Sequence, residues 1–241
     1  MTRAGLALLV CLAPVSLLAQ PVPPLPVAPP RAQRLLAGFY VVGGNPTGYF
    51  GQVVGSSVVG GLGGHLSVTP GRQPLGPRFE MSYVEYGSKT TPVPVDDGKA
   101  QGERTTSNGI FRVALGPVVM RHHGSVRPYA YATVGTSWFF TDTRVTADCD
   151  ASCDDEQQVR VISTRTNSDE WTFSWSAGGG VLVPLRRHGS IEAGARYVAS
   201  STVTWLAEGD VAEDANGQLQ SHPRHTPANL VEVTIGWTFG H

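Results

Sequence analysis

Glu80, Arg112, Glu192, Arg196 and Glu232 are ionised side chains set into alternating segments such as Phe79-Glu80-Met81 and Val231-Glu232-Val233. If the alternation marks the two faces of a sheet, all five share the face opposite the large apolar residues and meet in one interior. An unpaired buried charge is very costly, so three carboxylates and two guanidinium groups must neutralise one another there. Paired, they form a salt-bridge plug; hydrated, they would line or gate a narrow pore. The plug is the expected arrangement.

Cys149 and Cys153 stand four positions apart among Asp148, Asp150, Asp154, Asp155 and Glu156. In an oxidising compartment the two cysteines are a disulfide candidate that would close a very small loop. The carboxylates offer oxygens of the kind Ca²⁺ accepts, but without the Asp-x-Asp-x-Asp-Gly spacing of an EF-hand loop. A solvated acidic loop with no bound metal is therefore expected. His122, His123, His188, His222 and His225 fall into neither a Ser-His-acid nor a His-Glu-x-x-His pattern. No catalytic residue, no enzymatic activity and no cofactor are expected; acyl hydrolysis on a small barrel is the enzymatic alternative.

The elements that must position these residues are strands. In the segment 171–183, Trp171, Phe173, Trp175, Ala177, Gly179, Val181 and Val183 share one face, and Thr172, Ser174, Ser176, Gly178 and Gly180 the other. Val231, Val233, Ile235, Trp237 and Phe239 alternate in the same way with Glu232, Thr234, Gly236 and Thr238. Phe111, Val113 and Leu115 oppose Arg112, Ala114 and Gly116; Phe79, Met81 and Tyr83 oppose Glu80 and Ser82; Ile191, Ala193, Ala195 and Tyr197 oppose Glu192, Gly194 and Arg196. Segment 128–140 can face either way, a Gly-rich strand is placed at about 52–68 by position, and a first strand at 35–43. That makes eight.

Short connections at 70–76, 121–126 and 186–190 alternate with long ones at 88–107, 141–170 and 207–228. This asymmetry is that of transmembrane barrels, with short periplasmic turns and long external loops. The long connections hold most of the acidic residues, while the short ones hold Arg72, Arg121, Arg186 and Arg187. The small residues opposite the apolar face, mostly Gly, Ser, Thr and Ala, suit the crowded inside of a narrow barrel better than a solvated sheet face. Aromatic residues near strand ends, among them Tyr83, Trp138, Phe140, Trp171 and Trp237, suit a headgroup belt.

Arg3, the apolar run 6–12 and Leu17-Leu18-Ala19 read as an export signal over 1–19, cleaved before Gln20. The run is interrupted by Pro14 and is shorter than the roughly 20 residues of a spanning helix. The Pro-rich stretch 20–34 reads as an extended spacer without a fold of its own, followed by a barrel over 35–239. A net charge of -1, with Lys89 and Lys99 the only lysines, offers no basic track for nucleic acid, so no nucleic-acid partner is expected.

With these residues in view, the segment from Leu35 to Phe239 resembles the OmpA/OmpX-type small outer-membrane β-barrels. The most specific point is the last strand, Leu230 to Phe239, which is similar to the terminal signal read by the barrel-assembly machinery. The resemblance implies an all-β fold: an eight-stranded antiparallel up-and-down transmembrane β-barrel in the cell outer membrane. It also implies outer-membrane lipid and the assembly machinery as partners, the latter through Val231, Val233, Ile235, Trp237 and Phe239. The expected role is structural or surface-interacting, with an extracellular ligand or surface met through 141–170 and 207–228. A narrow channel and a soluble periplasmic binding barrel are the alternatives.

Overall fold

Alternation of small polar and large apolar residues produces strands, and here they run longer than their hydrophobic cores alone suggest. The computed structural model describes residues 33–55, 59–70, 74–95, 100–148, 159–185, 189–207, 210–213 and 219–240. In chain order the elements are β1 (Gln33–Thr47), α1 (Gly48–Val54), β2 (Val59–Pro70), β3 (Leu75–Val95), β4 (Ala100–Met120) and β5 (Arg127–Asp148). They continue with β6 (Val159–Leu185), β7 (Gly189–Trp205), β8 (Val211–Glu213), β9 (Leu219–Ser221) and β10 (Arg224–Gly240). Eight of the strands close into an antiparallel barrel in the order β1-β10-β7-β6-β5-β4-β3-β2, and β8 and β9 form a separate small sheet. Closure is made by β1 against both β10 and β2, with Ala37 opposite Phe239 and Leu66.

The first strand, placed at 35–43, is thus a full member of the barrel and starts at Gln33. Gln33 and Arg34, at the end of the expected spacer, join it. The second strand begins later than expected. Residues 48–54 form a helix because Phe50 turns inward to fill an aromatic gap between Tyr86 and Trp205 that an extended chain would not reach.

The long connections are also corrected. Most of 88–107 and much of 141–170 are paired strand: β3 and β4 remain in register from Ser88↔Ser107 to Val95↔Ala100, and β5 and β6 pair as far as Asp148↔Val159. Thr and Ser suit such exposed strands, where cross-strand hydroxyls meet at 3.3 Å (Ser88–Ser107), 3.0 Å (Thr90–Thr105) and 2.9 Å (Thr106–Thr143). Within 207–228, β8 pairs with β9, and β10 already begins at Arg224. Cys149, Cys153 and their neighbours Asp150, Asp154, Asp155 and Glu156 lie outside the described residues, as do the export signal and the rest of the spacer.

The faces follow the parity read from the sequence. Outward stand Val41 and Leu62, each more than 60% exposed, with Leu115, Val134, Phe173, Val233 and Ile235 on the same belt. A closed barrel clothed in exposed aliphatic and aromatic residues presents to its surroundings the surface that hydrocarbon requires. Aromatic pairs stud the belt, with Trp138 stacked on Trp171 at 5.7 Å and Phe39 near Phe239 at 6.1 Å. Segment 128–140 takes a definite orientation, with Tyr129, Tyr131, Thr133, Ser137 and Phe139 inward and Val134 outward.

Candidate functional site

The interior is layered along the barrel axis. At the turn end, Val118, Met120, Leu182, Tyr129 and Tyr131 pack as one apolar cluster. Above it lie the charged residues, and above those a second apolar cluster reaches the hairpin end through Val84, Ile110, Phe139, Val198, Leu230 and Trp205.

All five ionised residues singled out above point inward and are at most 3% exposed. Four of them form one knot. Arg196 contacts Glu80 through Nη1 and Glu232 through Nε, and donates from Nη1 to Tyr40 Oη at 2.9 Å. Arg112 Nη2 donates to Ser82 Oγ at 2.9 Å and to Glu232 Oε2 at 3.3 Å, and lies 3.9 Å from Glu80. Tyr40 Oη donates to Glu80 Oε1 at 3.1 Å. Five strands, β1, β3, β4, β7 and β10, are tied across the lumen by these bonds.

Glu192 is not in this knot but in a second one nearer the turn end, built on two residues that the sequence reading missed. Tyr129 Oη donates to Glu192 Oε1 at 2.7 Å, His65 Nε2 lies 2.8 Å from Glu192 Oε2, and Thr238 Oγ1 donates to the same oxygen. Arg78 joins the two knots: its Nε donates to Glu80 at 3.1 Å, its Nη2 is 3.8 Å from Glu192, and its guanidinium lies over the Tyr131 ring at 4.4 Å. Three guanidinium groups therefore face three carboxylates, and the interior is closer to neutrality than the five residues alone would make it.

A signal for Arg78 was present, since it shares the parity of Glu80 on one strand. His65 lies on the strand placed by position alone, whose faces were not assigned. Glycines of the inward face make the space. A Cβ at Gly38 would stand 2.4 Å from His65 Nε2, and one at Gly63 would stand 2.6 Å from the Tyr40 ring. Side chains at those two positions would displace members of both knots.

The assembly-signal residues Val231, Val233, Ile235 and Phe239 are exposed on the outer face of β10, with Trp237 partly buried beside Phe239. Ser67 Oγ lies 3.5 Å from His65 Nδ1, beyond good hydrogen-bond length, and is fully buried, so this neighbourhood offers a substrate no access. No group of three or more potential metal ligands occurs among the described residues.

No protein-family profile and no curated protein matches the chain. Among solved structures, similarity is found to Ail, the attachment invasion locus protein of Yersinia pestis, in complex with the heparin analogue sucrose octasulfate, with 12% identity over 86% of this chain and 97% of that one, TM-score 0.40. Neisserial surface protein A is similar at 10% identity over 86% and 97% of the two chains, TM-score 0.38. A major outer membrane protein from Thermus thermophilus is similar at 14% identity over 85% and 99%, TM-score 0.36. The chain has the architecture of small outer-membrane β-barrels by its own geometry: eight closed strands, an apolar outer belt, and short turns at one end with long hairpins at the other.

Proposed function

We propose that this protein is an outer-membrane β-barrel with a structural or surface-interaction role, plugged inside and acting through the strands it raises outside the cell. The observation that carries the reading is the pair of ion-paired knots across the lumen. Charges that bond to one another across four strands leave no continuous aqueous path, which weighs against the channel reading. The apolar outer belt weighs against a soluble periplasmic barrel.

Sealing the lumen leaves the hairpin end to meet partners. There β3 to β6 continue as a four-stranded sheet past the barrel rim. Among the described residues, β2 pairs with β3 only as far as Glu85, and β7 pairs with β6 only from Ser174. Among the described residues the sheet therefore has open edges along 87–95 and 159–169, with Val161, Ile162 and Thr164 exposed on the second, while Glu170 and Thr172 still bond to Thr204 and Thr202 of β7. Such edges accept an added strand from a partner protein. The acidic loops, the disulfide candidate Cys149–Cys153, an export signal over 1–19 and a periplasmic spacer over 20–34 belong to the same reading. So does presentation of the β10 row, Val231 to Phe239, to the assembly machinery.

The test is made in a Cys149→Ser/Cys153→Ser background carrying Thr164→Cys. A membrane-impermeant maleimide should label intact cells, and extraction of the protein should require detergent. Labelling only after permeabilisation would reverse the orientation, and release by osmotic shock without detergent would end the membrane reading.

A further inference from the structure

We propose that the hairpin end of the barrel interior is a ligand chamber, stoppered by Phe50 of α1, for a small molecule with an apolar body and one hydrogen-bond-donor head. This goes beyond the surface role above and rests on different residues.

The stopper is a single side chain on a weak element. α1 has seven residues and receives no side-chain cap from Thr47, and so short a helix has little stability of its own. Its position depends on docking. Phe50 is completely buried while Tyr49 beside it is half exposed, and Val53 and Val54 pack more loosely on the same cluster. The helix hangs between Gly48 at φ +63° and Gly55 at φ +80°. Both conformations are ones that other residues adopt only at a cost, and glycines at both ends let the segment swing as a unit.

The socket is organised without the stopper. Phe50 meets Tyr86 at 5.2 Å and Trp205 edge-on at 4.7 Å, and Tyr86 in turn lies 6.4 Å from Phe139. Tyr86 Oη donates to the Leu206 carbonyl at 3.2 Å, and Trp205 Nε1 donates to Thr226 Oγ1 at 3.0 Å. Both rings are therefore fixed by bonds that do not involve Phe50, and an aromatic or alkyl group entering in its place finds the box already formed.

Phe139, which packs on Tyr86 of the box, also lines a cavity of about 10 Å³, room for roughly one water molecule. Val84, Ile110 and Leu230 wall it together with Ser137 and Ser200, whose hydroxyls donate to Ser174 and the Ala228 carbonyl, and Ser82, Arg112 and Glu232 form its polar floor. Glu232 is fully buried, and its Oε1 has no hydrogen-bond partner among the described residues. A buried carboxylate oxygen with spare capacity accepts a hydroxyl or amine donor and repels an anion. Apolar walls above one free acceptor define an amphipathic guest: a phenyl or short alkyl body with an alcohol-type head.

The experiment titrates benzyl alcohol into the full chain in lipid nanodiscs and follows the indole N–H resonance of Trp205, with lipid-facing Trp171 and Trp175 reporting bulk partitioning. Wild type should show a saturable shift confined to Trp205, with toluene binding more weakly and benzoate not at all. Gly48→Ala and Gly55→Ala strain the docked helix without a clash, since nothing lies within 4 Å of either added Cβ. Each should tighten binding by about five-fold. Phe50→Ala should bind as well, with heat-modifiable gel migration confirming a folded barrel in every variant. Absence of a saturable Trp205 shift in folded wild type and in the glycine variants would overturn the proposal. So would a response of Phe50→Ala alone, which is an engineered cavity, or equal binding of toluene or benzoate.

Discussion

Ile110 and Arg112 are two residues apart on β4, point the same way and are equally buried, yet they belong to regions built on opposite physical terms. Ile110 lies in the apolar layer at the hairpin end, where contacts are numerous, non-directional and individually small. Arg112 lies in the charged layer, where each group is held by a few directional bonds and desolvation has already offset much of the Coulombic gain. The contrast teaches that the charged layer contributes registry more than net stability and is brittle, whereas the apolar layer yields gradually.

The largest effect should follow Arg112→Ala, which leaves Glu232 short of a partner inside the barrel. A loss of about 3–5 kcal/mol is expected from breaking a buried pair on one side. Ile110→Val should lose only about 0.5–1.5 kcal/mol. Urea unfolding of liposome-folded protein measures both, and equal losses would break the comparison.

Next in size is the outer surface along the same strands. Val134→Lys places a charge on the apolar belt and should cost roughly 2–4 kcal/mol if that position lies near the bilayer midplane. Thr164→Lys on the external sheet should stay within about 0.5 kcal/mol. A lysine tolerated at residue 134 and equally at Val113 and Phe173 of the same belt would mean that the belt does not face lipid.

The smallest effect concerns the long connection before β10. Arg224 donates to both carboxylate oxygens of Asp210 at 2.9 Å, and the Ala207 N–H donates to Oδ2 at 2.9 Å. Burial pushes the Asp210 carboxyl up, but these hydrogen bonds and the Arg224 charge outweigh it and hold it below the ordinary carboxylate range. A depressed folded value means that the contribution is present above the ordinary value of about 3.9 and is lost as pH falls through the lower one. The Ala207 amide chemical shift should therefore move only in strongly acidic solution, and Asp210→Asn should abolish the transition. A midpoint above the ordinary carboxylate value would contradict the pairing.

What the sequence discloses divides along the same line as the two regions. Strand faces are legible because parity is local: Glu80, Arg112, Glu192, Arg196 and Glu232 are inward by the residues beside them. Their partners are not local. Glu192 joins His65 and Tyr129 rather than Arg112 and Glu232, although all are inward, because barrel stagger sets which inward residues of different strands share a level, and stagger is not written in any one strand. The helix α1 escaped for a related reason. Phe50 turns inward only because Tyr86 and Trp205, far away in the chain, leave a gap of its size. The paired hairpins beyond the rim looked like loops because their Thr and Ser lack apolar alternation; cross-strand hydroxyl contacts hold them instead.

Single-channel recording in planar bilayers, on protein whose insertion is established by heat-modifiable migration, tests the proposed sealing of the interior most directly. Wild type should give no resolved conductance steps, because the two knots span the lumen. Regular ohmic steps from the wild-type barrel would contradict it and restore the charged residues to the lining of a pore.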